Sequence, residues 1–402
     1  RNYLTTTRII ALGFLITVIV GTILLSLPIA SANGTWTDLL TAAFTSTTSV
    51  CVTGLVVVDT FSYWSLFGKG VILILIQIGG LGIVSIITLF MLLFRMKITL
   101  KSTMLLQDAF NLNSKQGLLK FTIKVIKGTF LIEGIGAFIY SFYYCREYGL
   151  LKGIWFSVFH AVSAFCNAGL DIMGADSLIP YHSNLLMMLN TSFLIIMGGI
   201  GFIVWWDTVE AFRRIRTKKC SIRSAWNGVH LQTKIAIFMT LLLLIGGTVV
   251  IYFLERSNPD TLGNLSEKDR ILNAFFQSVT LRTAGFAAVP QAALRPVTAF
   301  FGALLMMIGG SPVGTAGGMK TVTIAVIFFT FAAMIRNHED TEVFKRNIPV
   351  SVVKKAVAIV FLSMSTIFIM TILLMATNDV NLLDALFEVA SAVCTVGLSR
   401  NL

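Results

Sequence analysis

The chain of 402 residues is 56% hydrophobic and only 12% charged, too few charges for a soluble protein of this length. A net charge of +12 would suit a nucleic-acid binder, but the basic residues gather in connections between long apolar runs, which argues against nucleic acid as a partner. An integral membrane protein is expected.

A bilayer-crossing helix needs about 20 apolar residues. Taken in chain order, such stretches lie near 9–30, 66–94, 121–144, 184–212, 233–254, 297–335 and 352–376. The first is long enough to cross and has no small-residue cleavage pattern after it, so it reads as a retained span and not as a signal peptide. Three connections are basic: Arg95, Lys97, Lys101, Lys115, Lys120 and Lys124; then Arg213, Arg214, Arg216, Lys218, Lys219, Arg223 and Lys234; then Arg336, Lys345, Arg346, Lys354 and Lys355. The positive-inside rule places them, and the N-terminus, on the cytoplasmic side. Contact with anionic lipid accounts for such clusters, and docking of a soluble partner is the sharper alternative.

The other connections, 31–65, 145–183, 255–296 and 377 onward, must face outside. Each is too long for a simple turn and contains an apolar piece too short to span, the mark of a re-entrant segment. Aligned on a glycine, they reveal a repeat. Gly54, Gly169, Gly285 and Gly397 are spaced by 115, 116 and 112 residues. Ten residues before each stands a phenylalanine (Phe44, Phe159, Phe275, Phe387), and three before each stand Cys51, Cys166, Arg282 and Cys394. The cores read SVCVTGL, AFCNAGL, TLRTAGF and AVCTVGL. A second glycine cluster follows the first three: GGLG at Gly79–Gly82, GGIG at Gly198–Gly201 and GGSPVGTAGG at Gly309–Gly318.

The expected fold is therefore an all-α integral membrane protein of four fused, parallel repeats of outer helix, re-entrant pore helix and inner helix around a central pore. Their bounds are 1–95, 96–212, 213–336 (with an intramembrane loop over 309–318) and 337–402. The chain ends five residues past Gly397, so the fourth repeat lacks its final helix here. Irregular backbone at membrane depth must line a watery cavity or be covered by protein. Four such strips would offer rings of carbonyl oxygens that replace a cation's water shell without a charged side chain. The GGLG and GGIG clusters read as close-packing contacts. Five glycines and a proline within Gly309–Gly318 cannot continue a helix.

This set of features resembles the superfamily of potassium transporters that includes the Trk, Ktr and plant HKT proteins, and among them the KtrB-type membrane subunits of the Ktr system. The resemblance implies potassium uptake through a channel-like pore. It implies a selectivity filter of Val52, Thr53, Gly54, Asn167, Ala168, Gly169, Thr283, Ala284, Gly285, Thr395, Val396 and Gly397, with potassium at the carbonyls and no organic cofactor. Glycine at position 54 resembles the potassium-selective type, and the lack of a full TVGYG implies fewer well-formed sites and looser selectivity. The resemblance makes Gly309, Gly310, Ser311, Pro312, Val313, Gly314, Thr315, Ala316, Gly317 and Gly318 a gate. It further implies a homodimer in the cell membrane, standing on a cytosolic KtrA-type ring that binds ATP or ADP.

Other residues stand out by type. Arg282 is expected to pair with Glu388 or Asp171, since an unpaired cation beside a cation path is costly. Asp59, Asp171 and Asp176 could concentrate cations at the outer mouth or be ordinary loop acids. Glu133, inside a span, is a functional candidate or a packed polar group. His160 has no second histidine near it and is not expected to bind metal. Lys320 either neutralises carbonyls at the broken helix or reaches the interface. Cys51, Cys166 and Cys394 read as small buried fillers, with Cys145 and Cys220 isolated. No metal cluster or activated nucleophile suggests an enzyme. An ion-coupled secondary transporter, with alternating access and an ionisable pair at the midplane, is the alternative.

Overall fold

The computed structural model describes residues 6–82, 85, 118–174, 176–218, 221–338, 340–344 and 346–400. The remainder of the 66–94 span, together with Arg95, Lys97, Lys101, Lys115, Lys219, Cys220 and Lys345, lies outside the described residues. The described chain is helical apart from one short hairpin, Glu342–Val343 (β1) paired antiparallel with Arg346–Asn347 (β2). Packing divides it into two units, Arg1–Gly198 with Ala284–Val289, and Gly199–Thr283 with Pro290–Leu402.

The first unit contains α1 (Thr6–Ser26), α2 (Leu39–Val50), α3 (Thr60–Tyr63), α4 (Leu66–Leu81), α5 (Leu118–Tyr148), α6 (Leu150–Cys166) and α7 (Leu185–Gly199). Asp38 starts α2 by accepting the Leu40 and Thr41 amides at 3.0 and 3.3 Å, and Ser65 starts α4 by accepting that of Gly68 at 3.2 Å. Helix α4 packs on α1, α2 and α6. Its glycines make this possible: a Cβ on Gly79 would run into the Val50 carbonyl, and one on Gly80 into the Cys166 thiol. Gly79 and Gly80 are thus close-packing positions.

The second unit contains α8 (Phe202–Lys218), α9 (Ile222–Asn227), α10 (Leu231–Glu255), α11 (Glu267–Thr280), α12 (Pro296–Met307), α13 (Thr321–Ile335), the hairpin, α14 (Val350–Thr377) and α15 (Leu382–Val393). Helix α11 packs on α10, α12 on α15, and α14 on both α13 and α15. Near the hairpin, Ile235, Met239, Ala325, Val326, Val343, Ile348 and Ala356 form a buried apolar cluster.

Four described helices are long and apolar enough to cross a bilayer unbroken: Arg8–Ser26, Lys120–Tyr148, Leu231–Glu255 and Val350–Thr377. They present apolar side chains outward, Leu15, Ile16 and Ile23 on α1, and Phe361, Leu362 and Phe368 on α14, as lipid requires. The protein is a multi-pass membrane protein. The expected 184–212 span is not one helix: α7 stops at Gly199, and α8 begins at Phe202 after Gly201 at φ +97°. Its glycines therefore break the helix, beyond the packing role expected of GGIG. The 297–335 span is interrupted between Met307 and Thr321, where the glycine-rich run falls.

Candidate functional site

Among the described helices too short to cross a bilayer, four precede the glycine strips: α2 with 12 residues, α6 with 17, α11 with 14 and α15 with 12. Each leads into one of the glycine strips, and all four strips share one backbone conformation. Two residues before the glycine, Val52, Asn167, Thr283 and Thr395 adopt φ of 56°, 60°, 63° and 53°. Gly54, Gly169, Gly285 and Gly397 adopt 92°, 65°, 82° and 94°. Left-handed backbone costs about 1–2 kcal/mol for an ordinary residue, and valine and threonine are the worst suited because they branch at Cβ. Strain of this kind persists where the surroundings over-determine the conformation.

The surroundings here are hydrogen bonds back to the short helix. The amides of Thr53, Ala168 and Val396 each donate at 2.8 Å to the carbonyls of Thr48, Ser163 and Ser391. This is the six-to-one closure of a helix whose next residue is left-handed. The same three side chains fasten the strip again: Thr48 Oγ1 accepts the Gly54 amide at 3.0 Å, and Ser391 Oγ accepts that of Gly397 at 3.1 Å. Ser163 Oγ donates to the Leu170 carbonyl at 2.5 Å. Sequence reasoning passed over these hydroxyls, although they stand at a constant offset of six before the glycine; the third repeat has Val279 there.

Within the first unit, the second and third strips meet. A Cβ on Gly169 would lie 2.7 Å from the Ala284 carbonyl oxygen and 2.8 Å from Gly285 Cα, so only glycine allows the approach. The Leu178 amide, which donates to the Ala287 carbonyl at 3.0 Å, ties the two exits together. Glu133 is 4% exposed and accepts from Gln77 Nε2 at 3.1 Å, with the Cys166 thiol 3.9 Å away; it is the packed polar group of the two readings. Asp59 caps α3 through the Phe61 and Ser62 amides, and Asp171 accepts the Met173 amide at 3.2 Å. His160 Nδ1 sits 3.2 Å from the Phe156 carbonyl among the rings of Tyr140, Tyr144 and Phe286. Among the described residues no group of histidine, cysteine and carboxylate side chains could hold a metal ion. Cys166 and Cys394 are buried as expected, but Cys51, at the C-terminal cap of α2, is exposed and not a buried filler.

Within the second unit, residues 309–318 form a stitched loop. Its ends are paired by the Gly309 amide on the Met319 carbonyl (3.0 Å) and the Gly310 amide on the Gly317 carbonyl (3.3 Å). The Ser311 amide donates to the Gly199 carbonyl at 2.8 Å, so the break in the 184–212 span supplies an anchor. The Phe202 amide takes the Val313 carbonyl at 2.8 Å, and Ser311 and Thr321 share a hydroxyl bond of 2.9 Å. Lys320 Nζ donates to the Ala316 carbonyl at 2.5 Å, the carbonyl-neutralising option. The loop also touches two strips. The Gly317 amide donates to Thr283 Oγ1 at 3.0 Å, and a Cβ on Gly317 would collide with Thr395 Oγ1.

Arg282 does not pair with Glu388. Its Nη2 reaches the Gly309 carbonyl at 3.4 Å, while Glu388 accepts from Ser399 Oγ at 2.7 Å and from the Arg400 amide at 2.6 Å. Asp171, the other proposed partner, belongs to a turn with Met173. Arg400, which sequence reasoning did not single out, braces the exit of the fourth strip. It donates to Asp384 at 2.6 Å and to the carbonyls of Gln291 and Leu294 at 2.9 and 3.3 Å.

A family model described as TrkH, cation transport protein, matches residues 5–400. The chain is 37% identical to the potassium/sodium uptake protein NtpJ of Enterococcus hirae, over 100% of this chain and 87% of that one. It is also 37% identical to the Ktr system potassium uptake protein B of Bacillus subtilis, over 98% of this chain and 85% of that one. The crystal structure of the potassium transporter TrkH from Vibrio parahaemolyticus aligns with a TM-score of 0.71, covering 99% of this chain and 77% of its own, at 16% identity. That likeness concerns the fold alone.

Proposed function

Because the chain belongs to the TrkH family of cation transport proteins, and so to transporters and not enzymes, we propose that it takes up potassium through a channel-like pore lined by the four glycine strips. The observation that carries this reading is the backbone repeated at Val52–Gly54, Asn167–Gly169, Thr283–Gly285 and Thr395–Gly397. Left-handed φ at the first and third residue undoes the strict alternation of a plain extended strand. Carbonyls of Val52, Thr53, Asn167, Ala168, Thr283, Ala284, Thr395 and Val396 can then turn toward one side. Such carbonyls replace the hydration shell of a cation. The short helices add the partial negative charge of their C-terminal ends. No strip contains an acidic side chain, so binding stays weak enough for release.

The four repeats supply one strip each, and the loop 309–318 acts as the gate, its contacts with Thr283 and Thr395 holding it against two strips. On this reading the protein is a homodimer in the cell membrane with a cytoplasmic N-terminus. Its basic connections around Arg213–Arg223 and Lys345–Lys355, chosen by charge in the sequence, meet a cytosolic ring of KtrA-type nucleotide-binding subunits, which controls the gate. A coupled carrier would need a free ionisable pair in the membrane; Glu133, held by Gln77 and Cys166, favours the channel-like reading instead. Rubidium uptake into liposomes containing the purified chain tests the proposal. Uptake that follows the gradient and rises with the soluble partner and nucleotide is expected. A well-dispersed, reconstituted chain that carries no rubidium with or without that partner would end it.

A further inference from the structure

We propose that Arg282 and Thr283 form a two-point latch that ties the closed loop to the third strip, so that strip and loop change state together. This rests on the reading of 309–318 as a gate. Arg282 Nη2 donates to the Gly309 carbonyl at 3.4 Å, and Thr283 Oγ1 accepts the Gly317 amide at 3.0 Å. Two consecutive residues thus hold opposite ends of one loop. Those ends are themselves back to back, since a Cβ on Gly309 would strike the Gly317 carbonyl. Neither contact can be lost by moving one end alone.

Two further observations distinguish this strip from the others. The hydroxyl that fastens the first, second and fourth strips to their own helices is replaced in the third by Val279, which has no polar atom to offer. At the third strip, Thr283 Oγ1 accepts the Gly317 amide of the loop. Thr283, like Val52 and Thr395, is a β-branched residue at positive φ, a strained state that needs external support; for Thr283 the bond from Gly317 is such a support. Arg282 adds a second asymmetry. It is 6% exposed, its Nε has no hydrogen-bond partner, and its guanidinium rests on a neutral carbonyl where the other repeats have cysteine. A buried cation is costly when it loses a partner. Removing the loop strips Arg282 of the Gly309 carbonyl, which resists opening. Opening then frees Thr283, and linkage makes the effect reciprocal: whatever stabilises the third strip in its present form also favours the closed loop.

The test is rubidium and sodium leak through the full-length chain in liposomes, without partner. Thr283→Val keeps the branched shape and removes the acceptor. It is expected to raise resting rubidium leak about fivefold, the equivalent of ~1 kcal/mol for one hydrogen bond, and to shift the rubidium-to-sodium ratio in the same variant. Thr283→Ser, which keeps an acceptor oxygen, should bring both back toward the unaltered chain. Arg282→Gln should raise leak likewise. Deleting residues 312–316 separates the two ideas. If the deletion raises leak but Thr283→Val does not, the latch is wrong and the gate stands. If the deletion leaves leak unchanged, the gate reading fails first. A Thr283→Val chain that melts earlier yet leaks and discriminates as before has lost only a structural bond, which also overturns the latch. Should Arg282→Gln fail to fold, Thr283→Val decides alone.

Discussion

Gly169→Ala is the most informative single change, because a matched control exists in the same chain. Gly169 has φ +65° and Gly34 has φ +68°. Alanine at either position carries the same left-handed backbone cost, about 1–2 kcal/mol. The difference lies in what the new methyl group meets. At Gly34 there is nothing within 4 Å, whereas at Gly169 it would stand 2.7 Å from the Ala284 oxygen and 2.8 Å from Gly285 Cα. Carbon atoms pack at about 3.5–4.0 Å, so the second and third strips must part by roughly 0.7 Å. That exceeds the tolerance of about 0.5 Å within which a preorganised site keeps its geometry. Gly34→Ala should lose a few degrees of melting temperature and Gly169→Ala more, because the clash adds to the shared backbone cost. Only Gly169→Ala should lower the rubidium-over-sodium flux ratio in liposomes, by about tenfold, or ~1.4 kcal/mol. A Gly169→Ala ratio equal to the unaltered chain, or an equal fall in Gly34→Ala, would refute the argument from contact.

The other expectations are briefer. Thr48→Val leaves the Gly54 amide without its side-chain acceptor, so it should lower stability by ~1 kcal/mol and reduce ion discrimination, read from thermal unfolding and paired flux measurements. Gly317→Ala drives a methyl group into Thr395 Oγ1 and to 2.8 Å from the Cys394 carbonyl; the loop is displaced, and partner-free rubidium leak should rise. Glu255, fully buried at the C-terminal end of α10, accepts from Asn258 Nδ2 at 2.7 Å, Thr261 Oγ1 at 2.6 Å and the Arg295 amide at 2.9 Å. Glu255→Ala orphans these donors and should cost ~3 kcal/mol in unfolding experiments. At the start of α11, the Tyr252 hydroxyl donating to Glu267 holds that carboxyl below its ordinary range. A depressed carboxylate contributes stability above its unfolded pKa and loses it as pH falls through the folded value. Melting temperature should therefore fall below about pH 4.5, and Tyr252→Phe should make that fall shallower.

What the sequence made legible was whatever repeats along the chain. The constant offset of Gly54, Gly169, Gly285 and Gly397 located the strips, and the density of glycine in 309–318 located the interrupted helix. Contacts across the fold were not legible. Gly199 accepts from Ser311, more than a hundred residues away, and nothing local to GGIG announces it. Arg282 was assigned a carboxylate because charge suggests charge, while the fold offered it the Gly309 carbonyl. The hydroxyls of Thr48, Ser163 and Ser391 repeated as faithfully as the glycines. They were missed because serine and threonine are ordinary in membrane helices and gain meaning only once the left-handed turn beside them is seen.

Carrying all four copies on one polypeptide has a consequence for how such a protein can evolve. In an assembly of identical chains, any substitution at the position of Val279 or Arg282 would appear four times over. Here one copy alone carries Val279 where the others carry a hydroxyl, and its Thr283 accepts from Gly317 in a separate segment, so a single quarter can diverge while three keep their common pattern.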